Sequence, residues 1–166
     1  MKVFPESNKI IFRNSAKAII VKDGKLLLLQ KQHPGNPAFT VFPGGGQEPG
    51  ESLSEALERE CREEIGAIVK VEKLLFIREY RSWEQEFHNP ARLMHQVEFF
   101  FECNLLEDLR EDLVDNPDPG QIGALWVPIN ALTEANLYPK MLRELLPKKL
   151  QEEPSSTVPV YLGCVN

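Results

Sequence analysis

Several functions lack their raw material in this chain. The three cysteines, Cys61, Cys103 and Cys164, are far apart and form no CxxC pair, so neither a disulfide framework nor a thiolate zinc site is suggested. A reducing cytoplasm suits that usage. Long apolar runs are missing too: Met1 to Asn14 has no continuous hydrophobic stretch, and no later run approaches the roughly 20 residues that a membrane span needs. The expectation is a soluble, unexported protein with no membrane partner. Positive charge is in deficit, with 19 Lys and Arg against 25 Asp and Glu, a net charge of -6. That balance argues against a stable nucleic-acid complex, but permits a small nucleotide held through a divalent metal. Repeats and low-complexity tracts are absent as well.

The 166 residues, 42% hydrophobic, are enough for one domain with a full core and too few for two of normal size. We place the domain at residues 1–150 and read 151–166 as a tail or a short edge strand near Val158 to Leu162. Lys17 to Val21 and Lys25 to Gln30 read as strands joined by the hairpin signal Asp23-Gly24. A short strand Phe39 to Phe42 precedes a glycine-rich loop and a helix over residues 53–65. Ser52 and Glu55 make a capping box for that helix, and Gly66 suits its left-handed end. Val69 to Arg81 and His95 to Leu105 read as longer strands flanking a charged loop from Ser82 to Arg92. A loop rich in Asp and Pro runs from Glu107 to Gly120. A strand Ala124 to Pro128 follows, then a helix from about Pro139 that Pro147 should end.

The helix at 53–65 breaks the usual logic of solubility. At about 100° per residue, Leu53, Ala56, Leu57, Cys61 and Ile65 form one apolar stripe, and Glu60 and Glu64 point into it. A charge run is ordinarily a solvated face, and Glu55, Glu58 and Arg62 do lie on the opposite side. Unpaired buried carboxylates cost several kcal/mol, a penalty that a bound cation removes. Glu60, Glu63 and Glu64, spaced three and four apart, can reach one spot above the helix. Oxygen ligands at that spacing suit Mg²⁺ or Mn²⁺ rather than zinc. Gly44, Gly45 and Gly46 let the backbone approach an ion and a phosphate closely. Arg59 can orient the Glu51 carboxylate. The loop is no P-loop, because Glu51 stands where that motif needs lysine.

In sequence, Gly45, Glu51, Arg59-Glu60, Cys61, Glu63-Glu64 and Gly66-Ala67 resemble the Nudix box at every polar and glycine position, with Cys61 as a soft departure in an aliphatic slot. Phe42-Pro43-Gly44-Gly45 and Trp126-Val127-Pro128 extend the likeness over most of residues 16–146. The resemblance implies an α/β fold, a mixed sheet sandwiched between helices. It also implies a Mg²⁺- or Mn²⁺-dependent pyrophosphohydrolase cleaving a nucleoside diphosphate linked to a moiety X. Glu60, Glu64, Glu63 and Gly44 would hold metal. Glu63 could instead activate water, and Arg59 with Glu51 would orient the acids. A nucleotide-sensing module that does not cleave is the alternative, and an isomerase acting on a diphosphate is a third class. The intact box argues against the sensor. Homodimers are common among such proteins, which leaves assembly open. Many members carry a further glutamate just before the strand holding Trp126. Gln121 stands near there, with Asp115 and Asp118 earlier, so the expected base shifts to the box glutamates.

Outside the box, Arg78, Tyr80, Arg81 and Trp83 could stack a base and hold phosphate, or could be plain strand surface. Alternation along 94–103 groups Gln96, Glu98, Phe100 and Glu102 on one face. Glu98 is therefore a candidate ligand or base, against the more ordinary reading of an edge-strand salt bridge. His95 reads as structural.

Overall fold

The computed structural model describes residues 10–84, 93–151 and 160–165. Its frame starts from two strands, β1 (Ile11–Lys22) and β2 (Lys25–Lys31), that turn at Asp23-Gly24 and then part. They pair antiparallel only at Val21↔Leu26 and Lys22↔Lys25. Beyond that point β1 runs parallel to β5 (Met94–Leu105) from Ile11↔Met94 to Ile20↔Cys103. β2 pairs antiparallel with β3 (Phe39–Val41) and with β6 (Gln121–Pro128). β4 (Val69–Arg81) lies antiparallel to β5, and β7 (Tyr161–Cys164) lies parallel to β4 at the outer edge.

Period-two alternation sends the strand residues to two separate cores. Ile19, Leu26 and Leu28 meet Phe76, Phe100 and the buried Leu142 and Leu146 of α2 (Leu142–Leu150). Ala18, Ile20, Leu27 and Leu29 meet Leu57, Cys61 and Ile65 of α1 (Leu53–Ile65) on the other side. Strands buried on both faces read as continuous apolar runs, as Leu26-Leu27-Leu28-Leu29 does. The result is a mixed sheet between two helices, the α/β sandwich that the box resemblance implies.

The glycine loop fills the wedge where β1 and β2 separate. Ala16 N donates to the Gly45 carbonyl at 3.0 Å, Ala18 N to that of Pro43 at 2.9 Å, and Gln47 N to that of Asn14 at 3.1 Å. The loop therefore satisfies a strand edge that would otherwise be orphaned in the interior. Gly44, at φ 117°, is forced by that closeness: a Cβ there would sit 2.2 Å from the Ala16 carbonyl oxygen.

Helix α1 spans 53–65 as expected, with both halves of the Ser52–Glu55 capping box formed and Gly66 left-handed at φ 59°. Four boundaries differ, one of them that of β6, which starts at Gln121 rather than Ala124. β1 begins at Ile11 because its polar first half gains a distant partner, β5, that local pattern does not reveal. α2 starts three residues after Pro139 and passes through Pro147, which was expected to stop it. An interior proline costs about 3 kcal/mol, and full burial of Leu142 and Leu146 on the core offsets that loss. The final strand lies at Tyr161–Cys164, a few residues beyond the expected 158–162. Of the expected loop from Ser82 to Arg92, Ser82–Glu84 forms a 3-10 turn and residues 85–92 lie outside the described residues. Among the described residues, no helix is long and apolar enough to cross a membrane.

The segment before β6 docks on the end of α1: Arg110 N donates to the Gly66 carbonyl at 3.2 Å, and Asp115 N and Asn116 N to that of Glu63 at 3.3 Å. A Cβ on Gly66 would come within 1.9 Å of the Arg110 carbonyl oxygen, on top of the left-handed strain. Gly66→Ala should therefore lose about 2–3 kcal/mol of stability in urea unfolding; a loss under about 0.5 kcal/mol would contradict this account of the helix end.

Candidate functional site

Acidic side chains from α1 meet the glycine loop on one side and the pre-β6 segment on the other. Glu64 is 1% exposed. Its Oε2 accepts the Gly44 N–H at 2.7 Å, while Oε1 is buried without a hydrogen-bond partner. Burial is the main force pushing this carboxyl up to about 8, with Lys17 opposing and Asp118 adding to the rise. One turn earlier, Glu60 abuts Gly45, where a Cβ would lie 2.4 Å from the carboxylate. Burial also raises Glu60, against the pull of Arg59 and Lys17.

Arg59 organises the outer side of the cluster. Its Nε and Nη2 grip Glu51 at 2.6 and 3.1 Å, Nη2 also donates to the Gly46 carbonyl at 3.0 Å, and Nη1 donates to Glu60 at 3.0 Å. The hydrogen bond from Arg59, helped by the Glu48 N–H, holds Glu51 down to about 2. A planar fork that ties loop, helix start and Glu60 together fits the orienting role expected of it.

Glu63 diverges from the other acids of the box. Its carboxylate accepts from Asn116 at 3.1 Å and lies 3.6 Å from Arg59. The three glutamates thus share a helix face without closing on a single point. Among the described residues no three His, Cys, Asp or Glu side chains form a ready-made cage. Two counter-charges divide them: Glu60 and Glu63 turn to Arg59, and Glu64 turns inward, where Lys17 supplies the opposing charge. The donors still fit a hard divalent ion. They are all oxygens, one is buried and unpartnered, and the missing side chain of Gly45 lets the Glu60 carboxylate pack directly against the loop backbone.

A cavity of about 570 Å³ opens next to this cluster and shares Lys17 and Asp118 with it. Arg78, Tyr80 and Glu98, the candidate substrate contacts, line it. Arg81 does not, because alternation along β4 turns it with Glu79 toward the opposite face. Glu98 is no edge residue: β5 is an inner strand, and Glu98 is 6% exposed, bonded to Arg78 Nε at 2.5 Å and Gln96 Nε2 at 2.7 Å. Burial alone would raise Glu98, but Arg78 and Lys17 hold it below the usual carboxylate range. Gln96 in turn accepts from Arg13 Nε at 2.6 Å, so the floor is one polar chain. Arg78 lies over the Tyr80 ring at 5.5 Å, and Phe39 meets Tyr138 edge-on at 6.0 Å across the same cavity. His95, bonded to Glu79 at 2.9 Å, lies off the cavity wall as a structural histidine would.

Sequence reasoning missed Lys17 and Lys31 and gave Asp118 no role. Lys31 pairs with Asp118, and Lys17 donates to the Gly44 carbonyl. Gln121, standing near the place where relatives carry glutamate, donates to the Glu64 carbonyl at 2.7 Å and accepts the Asp118 N–H at 3.1 Å, fixing that acid over the cluster. The available signal was a charged residue inside the otherwise apolar run Ala16 to Val21.

Comparison with known proteins places this geometry. A family model described as NUDIX domain matches residues 12–148. An RNA pyrophosphohydrolase from Teredinibacter turnerae is 27% identical over 143 residues, covering 77% of this chain and 82% of that protein. An ADP-ribose pyrophosphatase from Methanocaldococcus jannaschii is 44% identical over 57 residues, 34% of either chain, so this chain spans about a third of that relative's length. A NUDIX hydrolase structure from Nitrosomonas europaea shares the fold at a TM-score of 0.64, with 23% identity over 83% of this chain and 87% of that one.

The Glu64 environment has a pH signature. Its carboxyl stands at about 8 in the fold against an ordinary 4.5, so its stabilising contribution is complete below 4.5 and disappears as pH rises through 8. In EDTA at pH 9, Glu64→Gln should therefore be more stable than the parent by a few kcal/mol, on the order set by linkage, with the gap closing at pH 4.5. Thermal unfolding across that range checks it, and a Gln variant less stable at pH 9 would refute the assignment.

Proposed function

The chain belongs to the NUDIX domain family, whose members act on pyrophosphate bonds and generally use divalent ions, and on that premise we propose a Mg²⁺- or Mn²⁺-dependent pyrophosphohydrolase. Its substrate in this reading is a nucleoside diphosphate linked to a moiety X, cleaved at the anhydride by water attack on phosphorus. The observation that carries the reading is the buried, unpartnered Glu64 Oε1 beside a cavity with cations at its neck and aromatic rings on its walls.

Glu60, Glu64, Glu63 and the Gly44 carbonyl would hold the ion, which supplies charge neutralisation on the anhydride and a more acidic water. The remaining work falls to side chains. Arg59 holds Glu60 in place through a guanidinium that Glu51 and the Gly46 carbonyl lock. Glu63 has the most accessible carboxylate of the three, at 25% against 14% for Glu60, and is placed to take the proton from the attacking water. Lys31 and Arg13 line the cavity within reach of the phosphates, while Tyr80, Phe39 and Tyr138 offer rings for a base. The Glu98–Arg78 pair stiffens the floor beneath Tyr80. The two relatives described above, an ADP-ribose pyrophosphatase and an RNA pyrophosphohydrolase, support a nucleotide substrate.

A panel of ADP-ribose, nucleotide sugars, dinucleoside polyphosphates and nucleoside triphosphates, each with Mg²⁺, tests the reading through release of phosphate or mononucleotide. Turnover on at least one is expected, and Glu60→Gln should lower kcat at least about a hundredfold, the share of several kcal/mol that a metal ligand contributes. Tight binding with no product anywhere in the panel would instead identify a sensor.

A further inference from the structure

Lys17 stands in a place where an ammonium is costly. It lies at the middle of β1, flanked by Ser15, Ala16, Ala18, Ile19 and Ile20, each at most 1% exposed. A lysine is rarely retained in such a strand unless its charge is matched. The match comes from four separate elements. Lys17 Nζ donates to the Gly44 carbonyl of the glycine loop. Its field also acts on Glu60 and Glu64 of α1, Glu98 of β5 and Asp118 before β6. It is at the same time part of the cavity wall. One flexible side chain therefore touches both the proposed metal cluster and the proposed substrate chamber.

We propose that Lys17 is an exchangeable counter-ion: it neutralises the acidic cluster when no divalent ion is bound, and is displaced into the cavity, onto the substrate's phosphate, when one arrives. This rests on the metal-dependent reading above. The Gly44 carbonyl that Lys17 engages is among the oxygens assigned to the ion, so the two cations compete for one acceptor. A compact ammonium on four methylenes can leave without moving the strand, whereas Arg59, gripped by Glu51 on two donors, cannot. Lys31 has its own carboxylate in Asp118 and is not free to substitute. The exchange gives the site an order, since the cation that greets the phosphate is released only once the ion is in place.

Mn²⁺ titration followed by electron paramagnetic resonance, at pH 8.5 and without nucleotide, measures the competition directly. Lys17→Met should bind Mn²⁺ at least about tenfold more tightly than the parent, a modest part of the repulsion between a single and a double charge a few ångströms apart. Lys17→Arg, which keeps the charge, should stay within about threefold of the parent. With Mg²⁺ present, ADP should bind Lys17→Met about tenfold more weakly, the loss of one charged phosphate contact. Should Lys17→Met fail to fold, Lys17→Gln carries the same comparison. Equal or weaker Mn²⁺ affinity in the neutral variant would overturn the exchange while leaving the metal reading intact. No Mn²⁺ uptake by the parent would overturn both.

Discussion

Everything at this site turns on one desolvated carboxylate. Glu64 lies under the glycine loop with the Gly44 amide on one oxygen and the Asp118 carboxylate nearby, and a buried acid in that position is tolerable only if it is neutral or matched by a cation. The surrounding features answer that constraint. Gly44 brings an N–H to one oxygen, Lys17 supplies positive charge from the strand below, and Gln121 fixes the segment above. The loop itself can approach so closely because β1 and β2 separate after two residue pairs and leave an open strand edge for it to occupy. A general feature of the sheet, its splay, is thereby converted into a local chemical environment.

Division of labour follows from which strand face a residue occupies. The α1 side of the sheet carries the acids and the Arg59 fork, and the cavity draws on Arg13, Lys17, Arg78, Tyr80, Gln96 and Glu98 from three adjacent strands. Those strands are neighbours only because β5 inserts between β1 and β4. The floor is a continuous run of charge-assisted hydrogen bonds from Arg13 through Gln96 and Glu98 to Arg78. Such a chain is rigid when complete and costly when broken. The neck is different, since it is built from single lysines on long stems that can change partners.

What the sequence disclosed and what it withheld divide along the range of the interactions. The α1 unit was legible to the residue, because capping box, apolar stripe and left-handed glycine are all local, and the inward direction of Glu64 followed from the same arithmetic. The Arg59–Glu51 grip was legible from the spacing of the box. The first half of β1 was not, because Arg13, Asn14 and Ser15 look like loop until β5 arrives from more than eighty positions away. Lys31 and Asp118 are brought together by a second long-range pairing, β2 with β6, and both line the same cavity as Lys17, which no short pattern records. Arg81 shows the reverse case: it was grouped with Arg78 and Tyr80 although strand alternation alone would have separated them. The divergence of Glu63 had no sequence signal, since helical spacing fixes where side chains start and not which counter-charge each one finds.

The outermost strand links the end of the chain to the chamber. β7 adds to the edge of β4, and the Val165 carbonyl just beyond it accepts from Arg78 Nη1 at 2.9 Å, the same guanidinium that anchors Glu98. The position of β7 and the lining formed by Arg78, Glu98 and Tyr80 are therefore tied through a single guanidinium. A strand at the rim of the sheet is thereby coupled to the wall of a cavity that other strands build.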